Sequence, residues 1–161
     1  MRGPSQLAVA ALVATTAGLA CSTGPTYHQL MATLQPPAAG EGRLFVYLTD
    51  ASQAPSFWPI IAIDGQTMGL LRTGSFFYVD RPTGIHQVGV GTTTANAAFG
   101  TQGQTEPVQV ELLPGTSSYV QVFVVVMPGM VQVQLTPEST QDGQRDLASL
   151  HYLAPTPPLP P

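Results

Sequence analysis

The chain has 161 residues and a formal charge of −4, from five cations, all arginine, and nine acids, so that only 9% of its side chains are charged. That balance excludes the basic footprint of a nucleic-acid binder and leaves solubility to Gln, Ser and Thr. A single cysteine, Cys21, excludes a disulfide within one chain.

At the N-terminus one cation, Arg2, precedes the charge-free run Leu7 to Ala20, and Thr16, Ala17, Gly18 and Ala20 put small residues just ahead of Cys21. A short cationic start, an apolar run and a small-residue cut site describe an export leader. The run is shorter than the roughly 20 residues a membrane-spanning helix needs. Ala17-Gly18-Leu19-Ala20-Cys21 resembles a lipobox, with Gly18 where Leu is commonest. The resemblance implies that Cys21 becomes the first mature residue and carries lipid. Ser22, in place of Asp, resembles the outer-membrane sorting case. An ordinary secretory cut after Ala20 fits the same small residues.

Residues 1–20 are therefore expected as a signal peptide, 21–42 as a lipidated tether, 43–152 as the folded body and 153–161 as a proline-dense, extended tail. About 140 residues remain after the leader, enough to bury one core without metals or disulfides. In the tether, Tyr27 to Leu34 has the spacing of two helical turns before Pro36-Pro37 stops it. So short a helix is marginal alone and needs something to dock on.

Within the body the pattern has period two. Leu44, Val46 and Leu48 share one face of the first strand while Phe45 and Tyr47 take the other, so both faces are apolar and the strand is expected to be central. Pro59 to Asp64 and Gln66 to Leu71 flank Asp64-Gly65, a strong hairpin signal because a tight primed turn needs positive φ. Gly74 breaks the chain before Ser75 to Asp80, and Pro82-Thr83-Gly84 turns it into Ile85 to Gly91. The stretch Thr92 to Thr105 is long for a connection inside a compact domain. Beyond it Val108, Val110 and Leu112 alternate with Gln109 and Glu111, as a sheet with one wet face requires.

Ser118 to Met127 is an almost unbroken apolar run and reads as a buried central strand. Pro128-Gly129 fits the centre of a type II turn into Val131, Val133 and Leu135, and these last two strands are expected to pair as an edge hairpin. Glu138 to Tyr152 reads as one short closing helix with Leu147, Leu150 and Leu153 inward, weakened by Gly143. The fold class is therefore all-β, a single antiparallel β-sandwich of about eight short strands with short helices before and after it.

The stretch Ile61-Ala62-Ile63-Asp64-Gly65-Gln66-Thr67-Met68-Gly69, followed by Gly74-Ser75-Phe76-Phe77-Tyr78-Val79-Asp80-Arg81-Pro82-Thr83-Gly84-Ile85-His86, resembles the bacterial domain-of-unknown-function family numbered twenty-eight forty-six. Gly42-Arg43-Leu44-Phe45-Val46-Tyr47 resembles that family's opening segment, and PEGA-type sandwiches display a similar Asp-Gly hairpin. Leu48 stands where an arginine is frequent, and Thr83 where a second proline is common. The resemblance spans about residues 30 to 126. It implies a short β-sandwich in an exported or lipid-anchored protein and no established activity.

Asp64, Asp80 and His86 are the candidates for acid/base or metal chemistry, being two carboxylates and an imidazole near adjacent turns. The same residues have plain structural roles: Asp in a left-handed turn position, a carboxylate before Arg81-Pro82 capping the turn's backbone amides, and a packed strand histidine. No serine-nucleophile elbow, zinc motif, phosphate-cradling loop or other cofactor motif occurs, so neither enzyme chemistry nor a metal or cofactor is expected. Trp58, Phe76 and Tyr78 are the candidates for a glycan or peptide site, or alternatively fill the core. The expected function is an envelope lipoprotein acting as a non-catalytic accessory or interaction module. Its expected partners are the membrane, through the anchor, and an envelope protein, without nucleic acid. The alternative is a ligand-binding lipoprotein recognising glycan or peptide.

Overall fold

The computed structural model describes residues 24–50, 58–91, 105–128 and 130–155. Cys21 and nearly all of the stretch Thr92 to Thr105 lie outside them. In chain order the elements are α1 (Tyr27–Met31), β1 (Glu41–Leu48), β2 (Ile60–Ile63), β3 (Gln66–Leu70), β4 (Ser75–Pro82), β5 (Gly84–Gly91), β6 (Val108–Leu112), β7 (Ser117–Met127), β8 (Met130–Glu138), α2 (Thr140–Leu147) and β9 (His151–Tyr152). The protein is thus built mostly of strands, with two short helices among the described residues. The strands form two sheets, ordered β8-β7-β1-β4-β9 and β3-β2-β5-β6.

Alternation decides which side chains meet. Leu44, Val46 and Leu48 of β1 join Phe77, Val120, Val122 and Val124 from their own sheet and Ile61, Ile63, Met68, Val88, Val110 and Leu112 from the other in one buried cluster. The opposite face of β1, with Phe45 and Tyr47, joins Phe76, Tyr119, Tyr27, Leu147 and Leu150 in a second cluster beneath the helices. The five-stranded sheet is therefore covered on both faces. That is why β1 carries apolar residues at every position from Leu44 to Leu48, all inaccessible to water. In β6, by contrast, Val110 and Leu112 are buried and Gln109 and Glu111 exposed. β7 and β8 pair antiparallel from Tyr119↔Glu138 to Met127↔Met130, with β8 at the sheet edge.

Two pairings depart from the antiparallel reading: β1 with β7 and β4 with β9 run parallel. The cause is a change of sheet. Pro114-Gly115 carries the chain from β6 back to the start of β1, where the Gly115 amide donates to Glu41 O at 2.8 Å and the Arg43 amide to Thr116 O at 2.9 Å. β7 must then leave in the direction of β1. The chain likewise reaches β9 only after α2 has crossed the outer face, and arrives beside Ser75 at the start of β4.

The N-terminal segment supplies the docking that so short a helix needs: the chain from Gly24 onward is packed onto the body. Tyr27 is buried, its amide donates to Leu150 O at 3.2 Å, the Tyr152 amide donates to Pro25 O at 2.8 Å, and Thr26 bridges His151. Thr26 also starts α1 with a reciprocal pair, its own amide donating to Gln29 Oε1 and its hydroxyl accepting from the Gln29 amide.

Candidate functional site

The Asp64-Gly65 turn joins β2 to β3, and Asp64 takes the left-handed conformation (φ 52°) that the hairpin demands. Held there, its carboxylate faces β5. Oδ1 accepts from the Gln87 amide at 2.9 Å, and Oδ2 lies 2.7 Å from His86 Nδ1. The other ring nitrogen, Nε2, lies 2.7 Å from the carbonyl oxygen of Pro82. A carboxylate and a carbonyl both accept, so the surroundings favour the imidazolium form, in which both ring nitrogens donate. Burial pulls the His86 pKa down, but Asp64 and the Pro82 carbonyl outweigh it and hold the ring above its ordinary 6.5. Asp64 moves the other way: the His86 bond, then the Gln87 amide, hold it below 3.8.

Asp80 does not join this pair, and its carboxylate turns to Arg43 rather than to the backbone amides of the turn that follows it. It accepts from Arg43 Nε and Nη2, both at 2.7 Å, and Arg43 Nη2 also donates to Gln35 O at 2.8 Å. The guanidinium sits 4.8 Å over the Tyr78 ring, and Arg43 as a whole is only 4% exposed. Arg43 is thus a buried cation whose charge is met by a bidentate carboxylate and an aromatic face. The sequence carried a signal for it. Arg43 shares a face with Phe45 and Tyr47, and a lone charge in an otherwise apolar alternation needs a partner.

The three aromatic candidates separate. Phe76 is fully buried against Tyr27, Phe45 and Tyr152. Tyr78, half-buried, packs on Phe45 and Tyr152 under the Arg43 guanidinium. Phe77, between them, points into the inter-sheet cluster, as alternation requires. Trp58 is the one turned outward: it is 40% exposed, with Arg72 at 4.7 Å over its ring. Neither the core reading nor a single aromatic patch describes all three.

The arrangement leaves His86 without a free nitrogen and Asp64 with both oxygens engaged. Among the described residues no group of three His, Cys, Asp or Glu side chains is placed to hold a metal ion. The polar constellations instead join segments: Asp64–His86–Pro82 ties the β2–β3 turn to the end of β4, and Gln35–Arg43–Asp80 ties the chain ahead of β1 to the five-stranded sheet. Comparison with protein-family models and with curated proteins gives no match.

Proposed function

We propose that the chain is a lipoprotein of the bacterial cell envelope, a non-catalytic β-sandwich module held at the periplasmic face of the outer membrane by acyl chains on Cys21. The observation that carries this reading is the cationic, apolar and small-residue leader ending at the chain's only cysteine, three residues ahead of Gly24. The sandwich reading is supported by the single buried cluster drawn from both sheets. Its resemblance to domain-of-unknown-function family twenty-eight forty-six, whose members are mostly exported or lipid-anchored, supports the location. Engagement of His86, Asp64 and Asp80 in internal pairs supports a module that positions a surface and performs no reaction. Stable anchoring takes more than one acyl chain, and a diacylated or triacylated Cys21 meets that condition. Metabolic labelling with a radioactive fatty acid tests it: the wild type takes up label and Cys21→Ser does not, whereas equal labelling overturns the proposal.

One observation favours the second reading, a lipoprotein that recognises glycan or peptide. The exposed Trp58 ring under Arg72 offers the flat amphipathic face that sugar rings and peptide side chains stack on. Titration of Trp58 fluorescence with cell-wall glycan fragments decides: a saturable shift supports this reading, and an unchanged spectrum leaves the accessory module.

A further inference from the structure

Two stretches of the sequence, 22–40 and 147–161, contain no Asp, Glu, Lys or Arg. The fold lays their described parts against each other. Thr26 bridges His151, the Tyr152 amide donates to Pro25 O at 2.8 Å, and His151 Nδ1 lies 3.0 Å from Gly24 O. Together they make one flank, the β9 edge of the five-stranded sheet with α1 beside it. Pro25, His28, Gln29 and Met31 are exposed on it, Met31 to 39%. Arg43, which reaches this flank at Gln35, is buried and neutralised by Asp80.

Among the described residues the exposed acids are Asp50, Asp64, Glu106 and Glu111; Asp50 borders the flank beside Gly74, and the others are placed elsewhere, Asp64 in the β2–β3 turn of the second sheet. Glu111 is on β6, and Glu106 just before it, at the far edge of the second sheet from β3. Glu138, half-buried, is on β8, at the opposite edge of the five-stranded sheet from β9. The direction of the chain adds to this. Thr26 and His151 run antiparallel to each other, so the chain traced back from Thr26 and the chain traced forward from His151 leave the flank in the same direction.

We propose that this flank is the side on which the body rests against a lipid bilayer, its acid-bearing edges turned to water. The inference rests on the reading that Cys21 is acylated. Three residues of extended chain span at most about 11 Å, so an anchor at Cys21 cannot hold Gly24 far from the headgroups. The interface penalises charged side chains and accepts uncharged polar and apolar ones. An acidic face would in addition be repelled by anionic headgroups. The two segments that build this flank carry no charged side chain, Asp50 touches only its border at Gly74, and the flank lies close along the chain to the anchor.

The lone cysteine makes the test direct, because an acylated Cys21 has no free thiol. The full-length chain is expressed with its leader in a Gram-negative host. It is then reconstituted into vesicles of phosphatidylethanolamine and phosphatidylglycerol containing a nitroxide-headgroup lipid. Single cysteines at Met31→Cys, at Gln29→Cys and, on β6, at Gln109→Cys carry a thiol-reactive fluorophore. Labels at 29 and 31 should be quenched several-fold more than the label at 109, with the wild type unlabelled. Equal quenching at the three positions, in a background whose wild type takes up no label, overturns the flank and leaves the anchor standing. Labelling of the wild type overturns the anchor and the flank with it.

Discussion

Gly143 lies inside α2, and its replacement by alanine sets two effects of opposite sign against each other. In an ordinary helix interior the change gains about 1 kcal/mol, because alanine gives up less backbone freedom on folding. Here the helix lies on Tyr119 so closely that a Cβ at residue 143 would meet Cγ, Cβ and Cδ1 of that ring, the last two at 2.6 Å. Tyr119 Cβ is tied to the backbone of β7, so the ring cannot swing clear and the helix must lift. Overpacking of this kind costs about 1–3 kcal/mol, and lifting α2 also loosens Leu147 and Leu150 from the cluster they share with Tyr47 and Phe45. The net effect is a loss of about 1–2 kcal/mol, or roughly 3–8 °C in Tm for a domain of this size. Thermal unfolding followed by circular dichroism reads it. In a double-mutant cycle with Tyr119→Ala, which removes the ring, the cost of Gly143→Ala should shrink. An unchanged or raised Tm for Gly143→Ala alone would refute the close packing of α2 on β7.

Asp80→Ala leaves the buried Arg43 without its carboxylate. The expected loss is about 2–4 kcal/mol, somewhat under the range for a fully buried pair because 27% of the Asp80 side chain remains open to water. Denaturant unfolding should show it, and the further change Arg43→Met should restore part of the loss. The His86–Asp64 pair predicts a stability that depends on pH from both sides. His86 is raised above 6.5, so its contribution is complete below that pH and is lost as pH rises through the folded value; Asp64 is lowered below 3.8, so its contribution is present above that pH and is lost on acidification. Tm measured from pH 3 to 9 should therefore carry a component, largest between these two values, that His86→Ala abolishes; identical pH profiles would disprove the pairing. Trp58 is the only tryptophan and half-open to solvent, so its emission should be quenchable by acrylamide, and Arg72→Ala should increase the quenching by uncovering the ring. A blue, quencher-resistant emission would place Trp58 in the core.

Much of the fold is legible because burial on one or two faces writes itself into alternation. Val110 and Leu112 against Gln109 and Glu111 gave the half-wet strand, and the five consecutive apolar residues Leu44 to Leu48 gave the central one. The Asp64-Gly65 turn is equally local, since φ at residue 64 is a property of the turn itself. Strand direction is not local. β1 and β7 run parallel because the chain leaves the sheet and re-enters it at the same end, and no residue within either strand encodes that itinerary. Gly143 shows the same limit on a smaller scale. Helix propensity reads it as a weak point, whereas its lack of a side chain is what lets Tyr119 approach. That the helix in residues 24–40 must dock was legible in its shortness, whereas the surface that receives it was not. One buried ring, Tyr27, and a few amides shared with β9 are enough to fix it.

The candidate site was legible as a list of residues and illegible as pairs. Asp64, Asp80 and His86 stand out in a chain with so few ionisable groups, and the turns bring only the first and last together. Asp80 goes to Arg43, whose importance lay in its position among Phe45 and Tyr47. The remaining described arginines are also occupied: Arg81 donates to Gln66 and Met68, Arg145 pairs with Asp142 and Asp146, and Arg72 covers Trp58. An anionic group would have to draw one of these arginines from its present partner, at little cost for the exposed Arg145 and at a large one for the buried Arg43.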